Sequence, residues 1–498
     1  MLAEYRQRFS DFNTELVREE YLFRAGRKEN YETAHIFSEY SDLFKRAAVE
    51  ELRAALAATA EYRETEREAI KRLIAFALDG YLESRVRELS EEIGGYEARA
   101  TIEWGGRVIS FHQSATELAN EPDPVRRRDL YARRAEVIKG TQDLRAERLE
   151  RLHEAARESG YESYLAMYRE LRGIDYGRLA ERLAQFLAQT ESQYVTALGP
   201  LLARDAHISI DEASRADLPH LKRLTRFDRF FPRGRLIEVY RATFAGLGIN
   251  VNQQPNIEID AEPRPRKHPR AFCSPIRIPE EVKLVIRPAG GQSDYQAFLH
   301  EAGHAQHFGW ASRQLLPEFR FGGDYAVTET YAFLFNYLVL DPRWLAEMLG
   351  FAESGEFRHA VTVHKLMTVR RYAAKLLYEV ELHAGKLAGV AGPRYAELLT
   401  DGVRVRFDET EYLSDLDDAF YAANYLRAWA LEAQLREHLK SRFGARWWTS
   451  RKAGEELIDL WNTGNRYTAE SLASLVGLGE VSFDWLASEL LNQVMSDG

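Results

Sequence analysis

Along most of the chain, apolar residues recur at three- and four-residue intervals, the spacing that lines one face of an α-helix. From the N-terminus to about residue 92 this pattern (Leu52 and Leu56, then Ile70, Leu73, Ile74 and Ala77) predicts a helical bundle, which Gly94 and Gly95 break. ATIEW and RVISF follow, separated by Gly105 and Gly106, and their β-branched and aromatic residues predict a small hairpin. Helical periodicity resumes over about 122–204, with a stop at Gly160 and a break at Gly199-Pro200. Between about 246 and 291 Pro and Gly become frequent and three strands are predicted: Ile257 to Asp260, Ala271 to Ile278 and Val282 to Ile286. Helices return from 292 onward, interrupted at Pro342, Gly350 and Gly402, and no internal repeat occurs. The fold class expected is mainly α with one small sheet beside the helix that starts near 292. The organisation expected is an N-terminal helical lobe over 1–140 with the hairpin, and a helical region over 141–498 that carries the sheet at about 250–290. Together they read as one compact two-lobed unit.

Composition narrows the picture without changing it. Of 498 residues, 45% are apolar and 29% charged, the balance of an ordinary folded protein. No run approaches the roughly 18 to 20 apolar residues of a membrane span, and the charged opening MLAEYRQRFSDFNTELVREE lacks a secretory apolar region. A cytoplasmic protein with no membrane partner is therefore expected. Cys273 is the only cysteine, which excludes an intramolecular disulfide and any cysteine-based metal site, so a metal would need His and carboxylates. Cys273 itself reads as a small buried hydrophobe. A formal charge of -10 argues against nucleic acid as a partner, and the Pro-interrupted basic run Arg264 to Arg270 predicts an exposed loop.

The segment with the most chemical content is SDYQAFLHEAGHAQHFGW, residues 293 to 310. Ser293, with Gln296 three residues later, reads as a capping box that starts a helix. One turn apart on that helix, His300 and His304 can reach one zinc ion, while Glu301 stands beside it as a general base. A catalytic zinc takes three protein ligands and keeps a position for water, so a third ligand is required. Chance alone would give about 0.03 HExxH matches in such a chain, which makes the surroundings decisive. Gly303, with small Ala302 and Ala305, leaves room for a close neighbouring helix. GGDYAVTETYAFLFNYLVLDP, residues 322 to 342, predicts that helix, and between Asp324 and Asp341 its only acidic residue is Glu329, among apolar neighbours where a cation would neutralise it.

HEAGH with a further histidine at His307, followed by a glutamate 25 residues after His304, resembles the thimet oligopeptidase and oligoendopeptidase F family of zinc metallopeptidases. Thermolysin-like or aminopeptidase-N-like spacing would place the glutamate at Gly323 or Asp324, and angiotensin-converting-enzyme-like spacing at Thr328. The resemblance covers much of residues 250 to 430. It implies a two-lobed helical ellipsoid with a deep central channel, one zinc ion held by His300, His304 and Glu329, and cleavage of internal bonds in short peptides. It assigns AFCSPIRI and EVKLVIRP to a sheet whose edge aligns the peptide, and makes His307 a supporting residue near the site. DDAFYAANYLRAW, residues 417 to 429, is similar to the family's Tyr-rich loop, which implies that Tyr421 or Tyr425 donates to the oxyanion. This chain departs from that loop at Ala428, where another tyrosine is usual, and at Leu416, where a histidine is.

Two other readings stay open: a dipeptidyl carboxypeptidase of related fold, and a catalytically silent peptide-binding relative. His359, His364 and His383, each without a second histidine three or four residues away, read as structural. Peptide-length preference and oligomeric state have no signature in the sequence.

Overall fold

The computed structural model describes residues 2–497. Among these, long helices dominate: α1 (Leu2–Arg24), α2 (Glu64–Arg99), α3 (Pro124–Lys139), α4 (Tyr176–Leu201), α5 (Gln292–Trp310), α6 (Tyr325–Asn336), α7 (Gly355–His383) and α8 (Tyr421–Phe443). Two small sheets interrupt them. The hairpin pairs β1 (Thr101–Trp104) with β2 (Arg107–Ser110) across Gly105 and Gly106, both at positive φ as a tight turn demands. The second sheet contains β3 (Ile257–Asp260), β4 (Phe272–Arg277) and β5 (Glu281–Val285) in the order β3-β5-β4. β5 runs parallel to β3 and antiparallel to β4, so β4 is an edge strand. The mainly α class and all three predicted strands are as the sequence pattern indicates.

The chain divides into two compact units, each assembled from three segments. The first comprises 1–80, 225–358 and 427–486, and the second comprises 81–224, 359–426 and 487–498.

In the first unit, α1 and α5 both pack on β4. Tyr21 of α1 and Ala25 just after it meet Phe272, Ile276 and Val285 in a common apolar cluster, so the sheet is covered by a helix that precedes it by more than two hundred residues. The basic run 264–270 corrects a sequence expectation. It is not wholly an exposed loop, because Lys267 is buried and its Nζ donates to Asp260 Oδ1 at 2.8 Å and to the Asp260 carbonyl at 2.7 Å. Asp260 also accepts from Arg27 and Arg264. A buried lysine is tolerable only with such a partner, and sequence alone reads a charge run as solvated.

In the second unit, α3 sets Leu130 and Ile138 against Ile102, Trp104 and Ile109 of the hairpin. Two predicted breaks are read through: α2 continues across Gly94 and Gly95, and α4 contains Pro200 and continues into a π-helical turn at Leu202–Ala206. Leu198, Leu201 and Leu202 are fully buried, and packing on that scale outweighs one lost N–H bond, whose strain the wider turn can absorb. Among the described residues no helix is long and apolar enough to cross a membrane.

Candidate metal centre

The site is built on two helices of the first unit, α5 and α6, which pack closely along their length. Gly303 makes the approach feasible. A Cβ at this position would lie 2.6 Å from the Ala332 Cα and 2.6 Å from the Tyr331 carbonyl oxygen, both backbone atoms with nowhere to go. Ala302 and Ala305 are fully buried beside it. Gly303→Ala is therefore expected to push the helices apart, lowering stability by about 1–3 kcal/mol and weakening zinc binding together with it, as thermal melting and metal titration would register.

α5 does not begin as its sequence suggests. Its N-cap is Gly291, at φ +89, and Ser293 lies within the first turn without capping it. Asp294 in the first turn reaches back to the loop that enters the helix: its carboxylate accepts from the Gly290 N–H at 2.7 Å and from the Ala289 N–H. A Cβ at Gly291 would also meet Asp228 Oδ1 at 2.6 Å, so this entry requires glycine twice over. α6 starts as predicted. Asp324 is its N-cap, accepting from the Ala326 N–H at 3.1 Å. The same carboxylate takes a two-pronged pair from Arg427, at 2.9 and 2.6 Å, and the Ala469 N–H at 2.8 Å. Arg427 holds the Asp324 carboxyl below its usual range against the opposing effect of burial, which is the largest. The start of the helix carrying Glu329 is thus fixed by a buried ion pair.

These constraints bring His300, His304 and Glu329 together, with one ligand atom of each within 4.8 Å of the others. Glu329 Oε2 lies 3.3 Å from His300 Nε2 and 3.6 Å from His304 Nε2. Two ligand atoms each about 2.0–2.1 Å from a tetrahedral zinc ion stand about 3.3 Å apart, so both separations match the span across a shared ion. Two imidazole nitrogens and a carboxylate oxygen form the donor set of a catalytic zinc with one position left open. The residues present fit the metal.

Three neighbours support the triad, and the sequence revealed none of them. Thr328 Oγ1 lies 2.8 Å from His304 Nδ1. With the Nε2 lone pair turned to a metal, Nδ1 carries the ring hydrogen and donates it to this hydroxyl, fixing tautomer and orientation. Phe333, one turn beyond Glu329, lays its ring 5.1 Å from that of His300 and stacks on Trp429 at 5.0 Å. The Cys273 N–H of β4 donates to Glu301 Oε2 at 2.9 Å. Thr328→Val keeps the shape and removes the acceptor, and is expected to weaken zinc binding by about 10–100-fold, measured by competition with a chromophoric chelator.

Burial raises the Glu301 carboxyl to about 7, a value suited to taking and returning a proton near neutrality. Burial likewise lowers His304 to about 3 and so keeps the ring neutral, the form in which it can bind a metal. Burial also raises the Cys273 thiol well above its usual range, so the side chain is an inert thiol next to the strand's functional N–H. His307 lies outside the triad. It is fully buried, its ring 5.0 Å from Tyr331 and 5.2 Å from Phe308, and burial lowers it to about 4.

Tyr421 and Tyr425 belong to the second unit, where their rings stand edge-on at 5.1 Å and Tyr425 also meets Tyr372 at 5.4 Å. Just before them, Ala419 and Phe420 both hold positive φ, 56° and 55°. Such a turn is strained for residues with a Cβ and persists because its surroundings fix it. The Tyr164 hydroxyl accepts the Ala419 N–H at 2.9 Å, and Phe420 packs 4.5 Å from Tyr176. Of the remaining histidines, His383 hydrogen-bonds His153 at 2.8 Å and stacks on Tyr164 at 4.5 Å, a core arrangement in the second unit.

No protein-family model and no curated protein sequence matches the chain. Solved structures do. PZ peptidase A with an inhibitor superposes with a TM-score of 0.68 at 14% identity, over 98% of this chain and 91% of the other. A protein assigned as oligoendopeptidase F from Bacillus anthracis str. Ames gives 0.67 at 14% identity, over 98% and 89%. The fold of this chain is that of the PZ peptidase and oligoendopeptidase F structures, in agreement with the family its HEAGH segment resembles.

Proposed function

We propose that the chain is a cytoplasmic zinc metallopeptidase that hydrolyses internal bonds of short peptides. The observation that carries this reading is the convergence of His300, His304 and Glu329, with ligand atoms within 4.8 Å of one another and Glu329 Oε2 at 3.3 and 3.6 Å from the two Nε2 atoms, and with Glu301 on the adjacent position of the same helix. When bound there, zinc would act as a Lewis acid on the scissile carbonyl and make a water more acidic. Glu301 accepts the proton of the attacking water on the carboxylate oxygen not engaged by Cys273, then delivers it to the leaving amine. Its hydrogen bond to the strand keeps the carboxylate from rotating away. Thr328 holds the His304 ring in register. Tyr421 and Tyr425 are the candidate phenol donors to the oxyanion, on the resemblance of residues 417 to 429 alone.

The outer edge of β4 suits an extended peptide. The Cys273 N–H points away from β5, so the main-chain groups of Cys273 and Pro275 share the free edge. Pro275 has no N–H, and Glu301 engages that of Cys273, which leaves carbonyl oxygens to receive the substrate's N–H groups.

An octapeptide amidated at its C-terminus tests this reading against the dipeptidyl carboxypeptidase alternative. An oligopeptidase cuts the amidated and free forms at the same internal bond. A carboxypeptidase cuts only the free form, and a silent binding relative cuts neither.

A further inference from the structure

One face of α3 in the second unit lines a pocket of about 300 Å³ that has no part in the reading above. Arg128, Tyr131, Ala132, Ala135 and Lys139 recur at helical spacing along that face, and the two alanines leave the hollow between longer side chains. The opposite wall is the short bridge between Ser214 and Arg406, continued by Arg215 and Thr410.

The lining is cationic on a chain whose net charge is -10: four basic residues against the carboxylates of Glu136 and Asp408. Two of the cations are already matched. Lys139 pairs with Glu136 at 2.9 Å and Arg215 with Glu411 at 3.0 Å. Among the described residues neither Arg128 nor Arg406 forms an ion pair, although the Glu212 carboxylate acts on Arg128 at longer range. Arg128 reaches only the Glu212 carbonyl, at 3.4 Å, and its Nε is buried without a hydrogen bond. Asp408 is turned to the Thr410 N–H at 2.9 Å.

We infer that this pocket binds a small organic phosphate monoester, held between Arg128 on the helix and Arg406 on the facing wall. A tetrahedral dianion can take charge-assisted hydrogen bonds from opposite walls at once, whereas a planar carboxylate takes them in its own plane. Tyr131 and Thr410 supply hydroxyl donors, and the alanine floor seats the organic part.

The test is calorimetric titration of the zinc-loaded protein with phenyl phosphate, compared with benzoate, and repeated after zinc is removed. One saturable site is expected with and without zinc, with benzoate at least about tenfold weaker. The Arg128→Gln/Arg406→Gln double variant should lose about tenfold or more in affinity, and Ala132→Trp, which fills the hollow and leaves both arginines in place, should lose as much. No saturation up to about 1 mM overturns the proposal, as does affinity unchanged in Ala132→Trp or binding that needs zinc. Because the readout is binding and not turnover, its failure would leave the peptidase reading untouched.

Discussion

Glu301→Gln is expected to lower kcat/KM for peptide cleavage by about 1,000-fold while zinc content stays at one ion per chain. The amide matches the carboxylate in shape, still accepts the Cys273 N–H through its oxygen, and cannot take a proton. The metal triad is untouched because Glu301 is not in it. Burial works in the same direction: a carboxyl held near 7 is the group whose loss removes proton transfer at neutral pH, whereas an ordinary exposed glutamate would contribute less. A fall in activity accompanied by loss of zinc would mean that residue 301 holds the metal and does not act beside it.

The second large effect is expected at Glu329. Replacing it by Gln removes the charge that balances the cation and one of the three donors, so zinc affinity should fall by more than the roughly 100-fold that a lost outer partner costs. The result separates metal binding from folding. Zinc at about 100 times its Kd stabilises the wild type by about 2.7 kcal/mol, and Glu329→Gln should lose that increment. In the metal-free protein Glu329 Oε2 lies 3.3 Å from His300 Nε2, so the substitution exchanges that contact for an amide of the same volume, and the metal-free variant should stay within about 1–2 kcal/mol of the metal-free wild type. Scanning calorimetry with and without zinc, on both proteins, gives all four values.

The parts of this centre that the sequence conveyed are those set by helical periodicity. His300 and His304 share a face because they are four apart, Glu329 is the one acidic residue inside its helix, and Gly303 signals a close neighbour. What it did not convey are main-chain and single-hydroxyl contacts. The Cys273 N–H has no sequence signature, since every residue but proline has one. In the sequence Thr328 marks only a position where a different spacing would put a glutamate, yet its hydroxyl adjoins His304. Ser293 resembles a cap because serine caps often, but α5 is entered at Gly291, whose positive φ and close approach to Asp228 no local pattern announces. Gly94, Gly95 and Pro200 failed as breakers for a related reason: local propensities of about 1 to 3 kcal/mol yield to burial summed over a long helix. Periodicity is also blind to which segments share a unit, and here each unit draws on three that are distant in sequence.

If a metal held by His300, His304 and Glu329 makes this chain a peptidase, removing and restoring that metal must remove and restore cleavage. The most direct test is digestion of mixed eight- to twelve-residue peptides, followed by mass spectrometry, using protein as purified, after chelation, and after one equivalent of zinc is returned. Internal cleavage is expected to disappear on chelation and to return with zinc. Stoichiometric zinc binding with no cleavage, or cleavage indifferent to chelation, would contradict this reading.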